Sequence, residues 1–328
     1  MIGALLLFAV TARHAVAPPR KPNPDPAIVQ EAVRDLRVRG VTAAEIESVM
    51  HDPRFGLEPK RREGSSGMTI AQYKALVLSA ESLQRGLQFI DENRPALQAT
   101  YETEGIAPPY IAGLFRAESN LGRFLTDIHR HRVANVWWTK ILAPHNSAER
   151  RWAVLNLAAL FAYCRQSPPK YLLVVNDLAQ GASGLRIAEA SRDENGDGNR
   201  DLFDVWTRLH HEAFVHFNGE QHLDPLTVTG SFAGAFGLGQ FLPITYLSDG
   251  RDGDGDGVID LYEAPDAAAS TASFLRHHGW TKLKERALAR YLGTTKPPWR
   301  KRGSYPDLVL SYAEAISARL IQPRTSTE

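Results

Sequence analysis

Glu118 occupies a position where a carboxylate is costly. In the stretch YIAGLFRAESNLG the apolar residues Ile111, Leu114 and Phe115 fall at i, i+3 and i+4, and Glu118 completes the series at i+7. One helical face therefore carries apolar side chains and an acid. Removing a carboxylate from water raises its pKa, and a carboxyl that keeps its proton near neutrality can give it to a leaving oxygen. Glu118 is thus a candidate general acid. The competing structural reading pairs it with Arg116 or Arg123.

A second constellation begins at Asp252. Oxygen-bearing residues stand at loop positions 1, 3, 5 and 9 (Asp252, Asp254, Asp256, Asp260), with Gly257 at 6, the Val258 carbonyl at 7, Ile259 at 8 and Glu263 at 12. This is the EF-hand loop pattern, in which alternating oxygens face one centre and the glycine makes the sharp turn; it predicts a structural Ca2+ site. A second loop, DENGDGNRDLFD, repeats the pattern with Asp193, Asn195, Asp197, Asn199 and Asp204, but Arg200 replaces the aliphatic residue and the closing side chain is the shorter aspartate. It is either a second Ca2+ site or a solvated turn between helices.

Other patterns fail on geometry. HHEAFVH suggests a zinc protease, yet His211 and His216 are five apart, and five helical steps take them off one face. The glycines of GSFAGAFGLGQ have no strand leading in and no lysine following, as a phosphate loop would require. The pairs His129/His131 and His277/His278 read as surface clusters.

The chain that must position these groups has 328 residues, 43% hydrophobic and 23% charged, which suits a globular protein with one or two cores. Its 38 basic and 37 acidic residues leave a formal charge of +1, so no overall field recruits nucleic acid. The opening apolar run is too short to span a bilayer and is followed by AVA ending at Ala17, which reads as an export signal over 1–17, then a proline-rich linker over 18–26. That places the protein in the periplasm or cell envelope, with no transmembrane helix in the mature chain. Cys164 is the sole cysteine, which rules out an intramolecular disulfide and leaves none placed for lipid attachment after the signal.

Apolar spacing predicts helices over Ala27–Met50, with Thr42 as an N-cap, and over Thr69–Glu104, ending at Gly105. Prolines 108 and 109 can open the Glu118 helix, because its first amides need no intrahelical acceptor. Further helices are predicted at Trp152–Tyr163, Tyr171–Gln180, Leu202–Phe217, Ala267–His278 and Tyr305–Ile321. Strand signals are sparse, and YLLVV at Tyr171–Val175 is ambiguous. The class is mainly α.

Taken together, FRAESNLGRF, DPLTVTGSFAGAFGLGQFLPITY and DGDGDGVIDLYEAPDAAASTASFLRHHGW resemble the membrane-bound lytic transglycosylase B family of peptidoglycan-cleaving enzymes. The resemblance implies a lysozyme-like helical catalytic core over 105–328, with an insertion at about 125–220 and an amino-terminal helical region over 27–104. It makes Glu118 the single catalytic acid and base, and Ser231, Gln240, Phe241 and Leu242 substrate-binding positions. The metal ligands it implies are Asp252, Asp254, Asp256, the Val258 carbonyl and Asp266. The closing ligand is thus Asp266 by likeness and Glu263 by EF-hand counting, with the family position preferred. The resemblance implies three further substrate-binding positions: Phe274, where the family commonly has tyrosine, Tyr291, which matches the tyrosine of a late Tyr-Asn motif whose asparagine is replaced by Leu292, and Tyr305, which matches a second late tyrosine.

What the resemblance implies is cleavage of the β-1,4 bond between N-acetylmuramic acid and N-acetylglucosamine in glycan strands, giving 1,6-anhydro ends. Two rivals stay open. A water-using muramidase needs a second carboxylate, for which Asp127 and Asp224 are available; a calcium-dependent peptidoglycan-binding protein needs no catalysis. Trp137 and Trp138 either stack on sugars or pack a helix of the insertion.

Overall fold

A computed structural model describes residues 24–58, 69–123, 131–143, 147–165, 214–217, 220–293 and 303–321. The export signal, most of the proline-rich linker, the second acidic loop, Asp127, His129 and the helix expected at Tyr171–Gln180 lie outside these residues.

The amino-terminal helices have chemically defined starts. Helix α1 (Pro26–Val38) is capped by the Asp25 side chain, which accepts from the Ala27 amide. Helix α2 (Ala43–His51) carries a full capping box, Thr42 with Glu45. The run expected to be continuous from Thr69 to Glu104 is three helices: α3 (Ile70–Val77), α4 (Ala80–Glu92) and α5 (Arg94–Glu104). The breaks follow from local chemistry. The Ser79 side chain caps α4, and Pro95 opens α5, which closes at Gly105 in the left-handed region.

Helix α6 (Pro108–Glu118) runs through the middle of the molecule; Ile111, Leu114 and Phe115 are wholly buried on it. After it come the two-residue strand β1 (His131–Arg132), α7 (Val133–Leu142) and α8 (Ser147–Cys164). Strands β2 (Phe214–Phe217) and β3 (Glu220–Leu223) pair antiparallel, and β4 (Thr229–Gly230) pairs with β1. The helix expected over Leu202–Phe217 is therefore wrong at its end, where the chain forms β2. A short apolar run is compatible with either period, and backbone pairing with β3 decides it. Four helices complete the described chain: α9 (Pro243–Asp249), α10 (Ala264–His277), α11 (Lys284–Tyr291) and α12 (Tyr305–Ile321). No helix among the described residues is long and apolar enough to cross a membrane.

One hydrophobic cluster joins early and late elements, with Leu36, Leu83, Phe115, Leu160, Phe236 and Leu288 among its members. Each such side chain contributes roughly 1.5–3 kcal/mol by leaving water. Helix α6 packs between α4 and α12, and Gly113 sets how closely α12 approaches: a Cβ there would lie 2.8 Å from the Val309 carbonyl oxygen. Alanine at this position gains about 1 kcal/mol of helix propensity but meets backbone that cannot swing aside, an overpacking cost of about 1–3 kcal/mol. Gly113→Ala is expected to destabilise the protein by a net of about 1 kcal/mol, read as a lower urea midpoint, whereas a stabilised protein would show that α12 is free to move.

Candidate active site

Glu118 is the last residue of α6 and is 7% exposed. Burial pushes its carboxyl up to about 7, against a hydrogen bond from the Tyr305 hydroxyl to Oε1 that favours the charged form. The negative end of the helix dipole acts in the same direction as burial. Arg116 does not neutralise it: its Nε donates to Ser82 Oγ, 2.7 Å away, and its guanidinium meets the Tyr73 hydroxyl. No ion pair joins Glu118 to Arg116 or Arg123 among the described residues.

Immediately after the acid the chain turns through Asn120 (φ 54°) and Leu121 (φ 58°), both left-handed without being glycine. Such residues cost about 1–2 kcal/mol each and recur at functional sites. The turn is held by the Leu121 amide on the Phe115 carbonyl and the Gly122 amide on Ser119 Oγ. Nothing in the sequence pattern flagged this strain.

Three tyrosines from three helices face the carboxyl. Tyr305 opens α12, Tyr291 closes α11, and Tyr73 lies within α3. Burial pushes the Tyr305 and Tyr291 hydroxyls well up, and the Glu118 charge adds to both. Tyr73 is raised by burial, lowered by Arg116 and raised again by Glu118. Tyr73 lies in no sequence motif, and an aromatic residue inside a short helix carries no distinguishing signal; Arg116 stood in the sequence as a candidate partner of Glu118 and meets Ser82 and Tyr73 instead.

Tyr291 also links the acid to the glycine-punctuated turn, donating to the Gly239 carbonyl at 2.6 Å. Within that turn the Phe236 and Phe241 backbones exchange two hydrogen bonds, and Gln240 Nε2 donates to the Gly237 carbonyl. Gly237 has φ 76°, and a Cβ on it would lie 2.4 Å from the Leu261 carbonyl oxygen, so only glycine fits. Ser231 is wholly buried at the other end of the turn, its Oγ accepting from the Ala235 amide. Phe241 is 2% exposed and packs edge-on against Tyr291 and Phe274, while Phe274 stacks on His278. Leu242 is half-buried at the N-cap of α9. Trp137 and Trp138 are buried and neither is exposed for sugar stacking: Trp137 Nε1 donates to the Gly234 carbonyl and packs α7 against the turn, while Trp138 lies against Phe55.

The acidic loop leans on the same wall, with the Leu238 amide bonded to the Leu261 carbonyl. Carboxylate oxygens of Asp252, Asp254 and Asp266 lie within 4.8 Å of one another. Asp266, buried in the first turn of α10, accepts from the Gly253 and Asp260 amides. Burial pushes its carboxyl up to about 7, the two amides oppose this, and the charges of Asp254 and Asp252 add to it. Three converging carboxylates with an all-oxygen donor set fit a hard cation. Asp256, whose Oδ1 accepts from the Val258 amide, and Glu263, at the N-cap of α10, stand outside this group. Asp193, Asn195, Asp197, Asn199 and Asp204 lie outside the described residues.

Helices packed around one buried carboxyl, with a glycine-rich turn and an acidic loop on one wall, define a mainly α, lysozyme-like fold. Residues 25–207 and 204–295 match the family described as the transglycosylase SLT domain, and the chain belongs to that family. A relative, the membrane-bound lytic murein transglycosylase B of Escherichia coli (strain K12), is 26% identical over 211 residues, 64% of this chain and 42% of the relative. The match thus spans less than half of that protein. Similar solved folds include the Escherichia coli lytic transglycosylase Slt35 in complex with calcium, at TM-score 0.60, 15% identity and coverage of 92% and 95% of the two chains. Another is the soluble lytic transglycosylase SltB1 of Pseudomonas aeruginosa, at TM-score 0.58, 16% identity and coverage of 90% and 99%.

The Glu118 shift has a consequence for stability. A carboxyl whose folded pKa is about 7 rather than 4.5 favours the folded state while protonated, so its contribution is complete below about pH 4.5 and is lost as pH rises through about 7. Glu118→Gln removes that dependence. The variant is expected to match the wild type at pH 4.5 and to exceed it by about 3 kcal/mol at pH 8 in urea unfolding, while equal stabilities at both values would place the carboxyl in water.

Proposed function

We propose that this chain is a lytic transglycosylase that cleaves the β-1,4 bond between N-acetylmuramic acid and N-acetylglucosamine in peptidoglycan glycan strands, with Glu118 as its single acid and base. The observation that carries this reading is the buried Glu118 carboxyl, raised to about 7 and held by the Tyr305 hydroxyl. Oε1 accepts from Tyr305, which leaves Oε2 for the acidic proton. Glu118 gives that proton to the glycosidic oxygen as the bond to C1 breaks, and the substrate's acetamido oxygen closes on C1 to stabilise the positive charge. The carboxylate then takes the proton of the muramyl C6 hydroxyl as O6 displaces the acetamido oxygen, forming the 1,6-anhydro ring. Tyr305 stabilises the charged intermediate state of Glu118 between the two transfers.

A water-using muramidase would need a second carboxylate across the cleft. Asp224 is unsuited to that role, because it is buried in an ion pair with Arg54 at 2.6 Å. No acidic neighbour contributes to the Glu118 shift among the described residues. Ser231, Gln240, Phe241, Leu242, Phe274 and Tyr291 form the glycan-facing wall in this reading, the buried ones by shaping it. Residues 27–104 form the amino-terminal helical region and 105–328 the catalytic core. The site of action is the cell envelope, reached through the export signal at 1–17.

Asp252, Asp254 and Asp266 hold a structural Ca2+, with Asp256 and the Val258 carbonyl completing the shell; support comes from the convergence of the three carboxylates and from the calcium bound by Slt35. The ion draws the loop against the wall and takes no part in proton transfer. Calcium at a hundredfold excess over its Kd is expected to stabilise the protein by about 2.7 kcal/mol, and Asp254→Asn should erase that increment in thermal melts; a variant that responds like the wild type would remove Asp254 from the site. Glu118→Gln is expected to lower turnover of purified sacculi about 10³-fold. Mass spectrometry of wild-type digests should show anhydromuramyl ends, while reducing ends would establish the muramidase.

A further inference from the structure

Helix α3 belongs to the amino-terminal region, yet it touches the helix that delivers the tyrosine to the acid. Lys74 Nζ donates to Asp307 Oδ2 at 2.7 Å, with the two side chains 27% and 12% exposed. The same Oδ2 accepts from the Gly303 amide at 2.8 Å. Asp307 thereby ties together the chain entering α12, the first turn of α12 and a cation on α3. Tyr305 lies between Gly303 and Asp307, and its hydroxyl donates to Glu118. One residue before Lys74, Tyr73 meets Arg116 and senses the Glu118 charge.

Resting on the reading of Glu118 as the acid, we propose that Lys74 and Asp307 are positioning residues for the reaction: their ion pair clamps the first turn of α12 so that the Tyr305 hydroxyl stays on Glu118 Oε1. Tyr305 opens its helix, where the backbone N–H groups have no intrahelical acceptor and only the carbonyls are held. A hydroxyl at the tip of a long side chain loses its bond after a shift of about 1 Å, and misplacements of that size far from the chemistry are known to cost rate. The clamp supplies the restraint that the helix end lacks. It acts through Tyr305 and touches neither acid nor glycan.

The groups that face Glu118 among the described residues are Tyr305 from α12, Tyr291 from α11 and Tyr73 from α3, with Arg116 behind Tyr73. Of these, Tyr305 is the one whose hydrogen bond favours the carboxylate, so loosening it raises the pH at which the acid is lost. The test uses the full chain on purified sacculi, comparing wild type, Lys74→Met, Tyr305→Phe, their combination and the conservative Lys74→Arg. Lys74→Met is expected to lower kcat about five- to tenfold with KM within about twofold, and to move the basic limb of the pH profile upward toward that of Tyr305→Phe. In the Tyr305→Phe background it should add nothing, and Lys74→Arg should keep most of the wild-type rate.

An equal slowing by Lys74→Met in both backgrounds, or an unmoved basic limb, overturns the clamp while Glu118→Gln remains inactive. A rate that survives Glu118→Gln overturns the acid assignment and this inference with it.

Discussion

Glu118 sits at the negative end of α6 with its carboxyl removed from water, an arrangement that costs folding energy whenever the group is charged. A fold tolerates such a group only if surrounding elements compensate elsewhere, and the position of α6 shows how. The helix is apolar nearly throughout, its Gly113 lets α12 close in, and the one strong polar partner offered to the acid among the described residues is a neutral hydroxyl. An arginine at the same spot would lower the pKa and abolish the proton donor. Arg116 is close in sequence but is turned toward Ser82 and Tyr73.

The wall opposite is built by a different device. A turn dense in glycine lets backbone approach backbone, so that Phe236, Leu238 and Phe241 are bonded through main-chain groups and side chains are left for packing. Trp137 and Lys140 hold this turn from α7 through the Gly234 and Ala233 carbonyls, and burial pulls the Lys140 ammonium down to about 8. The acidic loop braces the other side of the turn at Leu261. Tyr291 then joins wall and acid through Gly239. Carboxylates of the loop converge on one another, while among the described residues no acidic neighbour contributes to the Glu118 shift; in the proposed function the two sets serve unlike ends, cation binding and proton transfer.

Local chemistry was legible in the sequence where the determinants are close together. Thr42 announces the start of α2, the prolines announce α6, and the i, i+3, i+4, i+7 series places Glu118 on the buried stripe. The spacing of Asp252 and Asp254 is likewise local, although Asp266 rather than Glu263 joins them, because the turn after Asp260 carries Glu263 away and brings the first turn of α10 back. Contacts between distant segments were not legible. Tyr305 and Glu118 are 187 residues apart, and Lys74 and Asp307 are 233 apart. Tyr305 was named only through a family likeness, and the lysine not at all. The strands failed for a related reason: β1 and β4 are two residues long, too short to show a period, and exist because their partners pair.

The proton on Glu118 is the quantity on which the whole account turns, and it can be observed directly. Glutamate labelled with ¹³C at the side-chain carboxyl, with Glu118→Gln used to assign the resonance, reports the titration of this one group by NMR. The account requires a midpoint of about 7. A midpoint near the ordinary value of 4.5 would mean that the group is ionised and solvated at neutral pH, and would contradict its role as the acid.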